Sequence, residues 1–403
     1  MRNIAAAVAI AAALPALAGA SSVGTPGVTS NSILLGGTVP LSGQASPFGV
    51  VGPGAAAYFK YVNARGGVHR RKIKYVYRDD GYDTSLTIEE TKRLVQQDKV
   101  FAIFNSVGTE HALAVRTYLN QLKVPHLFVG SGASKLGRGA KRYPWSMGYL
   151  PSFFGEGAVY GRYVAKTRPT TKIGVLYESS DYGKDLLKGL EKGLGRKKGL
   201  IVARQSYNTT DSNVRSQVTK LRRSGAKTFM IFALPTYAIQ SFVYAYQLGW
   251  RPKIFLSSVS VEPTIMEIAR GSTNGKTTEG AVSIAFLKDP TTDRWANDRA
   301  IRLYRRILKR FSPGSKASNV YNYYGMTVAF SMVDALKHAG RKLTRKGLLH
   351  AAAHMDERNN PFLLPGVHVQ TSPQDYFPIA KVKMIRYHRA EWVYFGPLVG
   401  ARG

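Results

Sequence analysis

Two short turns in the first third of the chain carry residue types suited to holding a ligand. Ser106-Val107-Gly108-Thr109-Glu110 follows the apolar run Phe101-Ala-Ile-Phe-Asn105, and Gly130-Ser131-Gly132-Ala133-Ser134 follows Pro125-His-Leu-Phe-Val129. Each is a run of buried-strand length that opens into glycines and hydroxyls, and glycine lets a ligand touch bare backbone. In open α/β sheets ligands bind beyond the carboxyl ends of the strands, so two adjacent polar strand ends mark one lip of a cleft.

Other groupings lead to less. His350 and His354 stand four apart, a spacing that can chelate a metal, but no third ligand is placed to join them. They read as a helix-surface pair, and His111 and His126, which flank the cleft turns, read as packed or exposed side chains. Asp79-Asp80 follows a strand and reads as a loop-fixing, helix-capping pair ahead of Ser85. The chain has no G-x-S-x-G elbow, no Walker loop and no G-x-G-x-x-G opening a helix after the first strand. Gly130 to Ser134 lacks the flanking spacing of an active-serine turn. No catalytic residue, metal or cofactor is expected.

The elements that must position the two turns alternate regularly. Strands are expected over 33–39, 73–77, 100–104 and 125–129, with helices over 54–64, 85–97 and 111–122 between them. That βαβαβαβ order predicts a parallel, helix-covered sheet. An aromatic, Pro-bounded connector over 143–151 interrupts it. The alternation then restarts with helices over 152–166, 183–194, 212–223 and 236–248 and strands over 172–177, 201–206, 228–232 and 253–256. After a strand over 281–286, helices over 295–310, 320–339 and 344–354 have no strand partners nearby and are expected to complete the first sheet. Two β-runs, 378–387 and 391–395, close the chain. A chain that leaves a unit, returns and leaves again has several connecting strands, which suits opening and closing around a ligand.

Composition narrows the setting. The 403 residues are long for one core and comfortable for two. A short positive start, an apolar run from Ile4 to Leu17 and Ala18-Gly19-Ala20 describe a secretory signal over 1–20, cut after Ala20. The absence of cysteine excludes disulfides, thiolate metal sites, a cysteine nucleophile and a lipid-modified cysteine after cleavage. A free, unlipidated periplasmic protein is expected. Lys and Arg number 57 against 24 Asp and Glu, a net charge of +33. The clusters Arg70-Arg71-Lys72, Arg196-Lys197-Lys198, Arg222-Arg223 and Arg305-Arg306 lie in separate turns or helices without interleaved aromatics. They read as a solvated basic surface, not a nucleic-acid site.

Several strings, in order, carry a resemblance. Thr38-Val39-Pro40-Leu41-Ser42-Gly43, Asn63-Ala-Arg-Gly66-Gly67-Val68, Asp79-Asp80, the Ser106 to Thr109 and Gly130 to Ser134 turns, and Asp181-Tyr182-Gly183-Lys184 are similar to the leucine/isoleucine/valine-binding-protein branch of the ABC-transporter solute-binding proteins. The similarity runs from about residue 32 to residue 396. It implies the type I periplasmic binding protein fold: two doubly wound, Rossmann-like α/β lobes joined by a three-strand hinge, with crossovers near 147–150, 281–288 and 361–368. Lobe 1 would comprise 30–148 and 284–360, and lobe 2 would comprise 149–283 and 361–403. The implied protein is a monomer that captures a small amino acid or organic acid and delivers it to an ABC permease in the inner membrane, without nucleic acid or cofactor.

The resemblance also implies a site. Thr109, beside Gly108 and after Ser106, matches the hydroxyl residue that holds the ligand carboxylate at a helix start, where free N–H groups and the positive dipole end suit an anion. Gly130-Ser131-Gly132 matches the second contact of the first lobe, with the hydroxyl position for the ligand ammonium falling on Gly132. Tyr182 matches the aromatic lid, and Phe48 the aromatic of the first loop. Amino-acid-binding relatives place an acid after the strand matching 253–256, but here the turn reads Ser257-Ser258-Val259-Ser260 and the position falls on Val259. Burying an ammonium without that partner costs several kcal/mol. Glu262, three residues on, precedes Pro263 and reads as a helix cap. An amine-free acid, aromatic or short-chain, is therefore expected. Two other classes stay open: a ligand-sensing receptor of the same fold, and a hydrolase on a doubly wound scaffold. A neighbouring permease gene separates transport from sensing, and ligand turnover would single out the hydrolase.

Overall fold

The computed structural model describes residues 24–402, so the signal peptide expected over 1–20 lies outside the described residues. The first sheet is built from β1 (Ser32–Val39), β2 (Lys72–Asp79), β3 (Ala102–Phe104), β4 (His126–Val129) and β5 (Ser146–Gly148), parallel throughout in the order β2-β1-β3-β4-β5. Its central strands β3 and β4 are buried at every position, as a parallel sheet covered on both faces requires. The connections are α1 (Val51–Asn63), α2 (Thr84–Gln96), α3 (Thr109–Gln121) and the single turn α4 (Ser134–Gly137). Asp83, not Asp79 or Asp80, starts α2, accepting from the Ser85 and Leu86 N–H groups. Asp79 fixes the preceding loop instead, accepting from Leu41, Ser42 and Gly81 N–H.

The second sheet takes β6 (Ile173–Glu178), β7 (Ile201–Tyr207), β8 (Thr228–Phe232), β9 (Lys253–Leu256) and β10 (Val282–Ala285), with α5 (Phe153–Thr167), α6 (Asp181–Leu194), α7 (Arg215–Arg223), α8 (Pro235–Gln247) and α9 (Pro263–Thr273) around it. The chain then runs back through α10 (Arg299–Phe311), α11 (Val320–His338) and α12 (Arg345–Ala352), of which α10 and α11 pack on α1. After the small antiparallel pair β11 (Asp356–Glu357) and β12 (Val369–Gln370), it crosses again and adds β13 (Lys381–His388) antiparallel to β10 and β14 (Glu391–Gly400) antiparallel to β13. The seven-stranded order is β14-β13-β10-β9-β8-β6-β7.

Three connections join the halves: Tyr149 to Pro151 after β5, and two segments that meet where Leu287 bridges Leu363 and the Leu364 N–H donates to the Phe286 carbonyl at 2.9 Å. Two of the differences from expectation have a clear local cause. β5 sits within the segment read as a connector, because a three-residue edge strand flanked by Pro144 and Pro151 offers no alternation to detect. α10 begins at Arg299 and not at 295, since the Asp298 carboxylate accepts from Ala300 and Ile301 N–H and fixes the start there.

Candidate ligand-binding site

The strand ends of the two sheets face each other across a cavity of about 130 Å³. On the first side stand Phe48, Tyr82, Gly108, Thr109 and Gly130, and on the second Phe153, Tyr182, Leu234, Ser258 and Val259. Tyr321, Tyr324, Tyr394 and residues 284–289 close it toward the hinge.

Its anion-binding end is the start of α3. Gly108 is the N-cap, at φ +108°, with no side chain to satisfy the first-turn N–H groups, which are left to a ligand. The positive φ favours glycine, and an added methyl group would also strike the His111 ring. Thr109 Oγ1 lies 2.8 Å from Ser131 Oγ, and Ser131 Oγ accepts from the Ala133 N–H at 3.1 Å. The Thr109 hydroxyl is thus oriented from behind.

Of the ten residues expected at the site, Phe48, Gly108, Thr109, Gly130, Tyr182, Ser258 and Val259 line the cavity. The other three stand behind it. Ser131 supports Thr109, while the buried Ser106 stitches the two turns together through its carbonyl, which accepts from the Gly130 N–H at 2.8 Å. Gly132 packs against the first connection: a methyl group there would run into the Pro151 carbonyl oxygen. Its glycine is required by that approach and not by a ligand ammonium. Tyr182 is a fixed wall, 3 % exposed, with its ring edge-on to Phe153 at 4.8 Å and its hydroxyl donating to the Ala233 carbonyl at 3.3 Å.

Most polar side chains of the turn after β9 are bonded within the protein, the buried Ser257 hydroxyl being the exception. Ser258 donates its N–H and Oγ–H to the two carboxylate oxygens of Glu156, both at 2.7 Å, and Glu156 also accepts from the Tyr160 hydroxyl. Burial pushes the Glu156 carboxyl up from its ordinary range. The Val259 carbonyl accepts from the Tyr321 hydroxyl at 2.8 Å, and Ser260 Oγ donates to the Ala233 carbonyl. Glu262 lines the cavity but caps α9, accepting from the Ile265 N–H, as its place before Pro263 suggested.

Sequence reasoning missed Tyr82, Tyr321, Tyr324, Tyr394 and Lys288. Tyr82 follows Asp79-Asp80-Gly81, adopts φ +59° and stacks on His111 with ring centroids 4.0 Å apart. That turn was the only local signal. Lys288 is neutralised by Asp298 at 2.9 Å, so it brings no free cation to the cavity. His126 is fully buried, and burial, with Arg116 adding to it, pushes it down to about 3; His350 and His354 are exposed and stack on each other at 4.2 Å. No group of three metal-ligating side chains occurs among the described residues.

Around the cavity the halves touch. The Glu110 carboxylate on α3 accepts from the Asp181 N–H, the first of α6, at 2.8 Å. In return Asp185 of α6 accepts from the Ser134 N–H at the start of α4 at 2.6 Å, and Lys135 pairs with Asp181 at 2.6 Å. Thr236 Oγ1 donates to the Gln44 carbonyl at 3.0 Å.

Two α/β lobes, three connections and a cleft roofed by a helix N-terminus define a bilobed binding protein. A family model described as periplasmic binding protein matches residues 32–388, and the chain belongs to that family. Leu/Ile/Val-binding protein homolog 7 of Brucella abortus is 27 % identical over 251 residues, 58 % of this chain. The match spans 61 % of that relative's length. A branched chain amino acid ABC transporter from Thermus thermophilus with bound valine is similar with a TM-score of 0.80 at 17 % identity, covering 93 % of this chain and 97 % of that one. A solute binding protein of an ABC transporter from Rhodopseudomonas palustris BisB5, in complex with 3,4-dihydroxy benzoic acid, reaches 0.75 at 17 % identity, covering 92 % and 98 %. At such identities the likeness to the solved structures establishes the fold.

Proposed function

We propose that the protein is an extracytoplasmic, monomeric receptor that closes on one small carboxylate without an amine, an aromatic acid first, and hands it to an ABC permease in the inner membrane. The carrying observation is a cavity with an uncapped helix N-terminus at one end and mostly aromatic or aliphatic walls elsewhere, the charged Glu262, Lys288 and Asp289 being bonded to Ile265, Asp298 and Thr291. A dry apolar cavity of about 150 Å³ holds benzene, so the 130 Å³ here suits a single ring or a short branched chain. The turn at 257–260 argues against the amine, because it brings no carboxylate of its own to the cavity and the nearby Glu156 carboxylate already accepts from Ser258 and Tyr160. In this reading Thr109 and the first N–H groups of α3 take the carboxylate, and Phe48 and Tyr182 flank the ring. The reading contains no turnover. Relatives of this fold have been captured with valine and with a hydroxylated benzoic acid, so the fold accommodates both ligand types.

A melting screen at equal concentrations tests the reading. Benzoate and 4-hydroxybenzoate should raise the melting temperature more than leucine, isoleucine or valine, since a ligand at a hundred times its Kd adds about 2.7 kcal/mol to stability. Stabilisation by the branched-chain amino acids and none by the acids would overturn it and leave Glu262 as the amine partner.

A further inference from the structure

The charge surplus is not evenly spread. Most basic helices of this chain carry their own acids: Arg93 on α2 pairs with Glu89 and Glu90, and the lysines of α6 alternate with Asp181, Asp185 and Glu191. α7 has four cations and no acid, and α10, Arg-Ala-Ile-Arg-Leu-Tyr-Arg-Arg-Ile-Leu-Lys-Arg-Phe, is the extreme, with six cations and no acid. No acidic residue occurs from Arg299 to Val333.

At 3.6 residues per turn, Arg299, Arg302, Arg305, Arg306, Lys309 and Arg310 fall within an arc of about 140° on a helix about 20 Å long. All six are exposed, while Ile301, Tyr304, Ile307 and Leu308 are buried on the opposite face. None of the six has an ion-pair partner among the described residues. Their internal ties are to neutral groups: Arg302 donates to the Asn297 carbonyl at 2.7 Å and Arg305 to the Pro290 carbonyl at 2.8 Å. The patch extends onto α1, where exposed Lys60 donates to the Phe311 carbonyl at the end of α10, and onto exposed Lys316.

We infer that this face docks on an anionic phospholipid surface. A single arc of cations along one straight helix meets a plane of headgroups, whereas a nucleic-acid strand is gripped in a groove with aromatic platforms for its bases. The apolar face of α10 is already used in packing, so it cannot sink into the acyl region as a free amphipathic helix does. The association must therefore be electrostatic, peripheral and reversed by salt. Such docking would hold the receptor near its permease while leaving the ligand cavity, which no α10 residue lines, free to work.

The test is sedimentation of the full mature chain with vesicles of mixed phosphatidylglycerol and phosphatidylcholine, or of phosphatidylcholine alone. Two triple variants are compared: Arg302→Gln, Arg306→Gln, Lys309→Gln on α10, and Lys184→Gln, Lys188→Gln, Lys192→Gln on the exposed side of α6, which removes the same charge. A cation near such a surface is worth about fivefold in partitioning, so the α10 triple should lose about a hundredfold and the α6 triple much less. Binding should vanish on phosphatidylcholine and at about 1 M salt, where charges are screened beyond about 3 Å. An unchanged melting temperature in both triples shows that folding is intact. Equal losses in the two triples, no binding to the anionic vesicles, or tighter binding to a DNA duplex than to vesicles would each overturn the assignment.

Discussion

Replacing Glu110 with alanine should weaken binding of every ligand by the same factor, whatever the ligand's chemistry. The carboxylate of Glu110 accepts from the first N–H of α6 in the opposite lobe, and Ser180, the N-cap residue of α6, makes no side-chain cap of its own. Glu110 is therefore α6's cap, supplied across the cleft and present only while the lobes are closed. A cap is worth about 0.5 to 2 kcal/mol, and the exposure of Glu110 places this one toward the middle or below, about 1 kcal/mol. Where the open form dominates without ligand, removing 1 kcal/mol from the closed form raises the apparent Kd about fivefold. The alanine keeps the Glu110 N–H that faces the ligand's anion, so the loss belongs to closure and not to ligand contacts. Glu110→Gln, which retains a carbonyl acceptor but no charge, should fall between. Calorimetric titration of both variants with two ligands of different size gives the factors, and stopped-flow should place the change in dissociation. The reasoning fails if the two ligands respond by different factors, or if the alanine variant binds both as tightly as the parent.

Thr109→Ala should weaken carboxylate ligands by about 1 to 3 kcal/mol, roughly fivefold to 150-fold, the cost of leaving a buried anion short of one donor. It should also lower stability by about 1 kcal/mol in a denaturant titration, because the hydroxyl is bonded to Ser131 and not merely exposed to an open cleft. Unchanged affinity would place the anion elsewhere. Burial pushes the carboxyls of Glu178 and Glu357 up to about 7. Both then hold their protons more tightly folded than unfolded, so the stability they contribute is full below about 4.5 and is lost as pH rises toward about 7. For each the span is up to about 3 kcal/mol. Glu357→Gln keeps the acceptor for Ser331 and Asn360 and should flatten the wild-type fall over that window in denaturant midpoints. The paired comparison is needed because His126, pushed down to about 3, works in the opposite sense as pH drops through its unfolded range. Parallel profiles for the two proteins would refute the assignment.

The parts of this molecule that were legible in its sequence are those set by local rules, and the ligand site divides along the same line. β8 and β9 fall where their apolar runs between turns place them, and Glu262 caps α9 as its position before Pro263 requires. The anion end of the site is legible for the same reason: an apolar run, a glycine at positive φ and a hydroxyl at a helix start form one continuous segment from Phe101 to Thr109. Its walls are not. Tyr321 and Tyr394 reach the cavity from segments more than 200 residues along the chain from Thr109, and periodicity says that such residues are buried without saying against what. Gly130 and Gly132 show the limit within a single turn, since one borders the cavity, where a methyl group would make only ordinary contacts, and the other is held to glycine by the close approach of Pro151. Specificity divides accordingly. The charge of the ligand's head is written locally in the start of α3. The shape and hydrogen bonding of its body depend on how far-separated segments meet at the hinge, where Val259 is held by Tyr321 and Ser258 by Glu156. Absence of an acid at Val259 was a sequence observation, but that the Ser258 N–H and hydroxyl are both turned to Glu156 could only come from the packing.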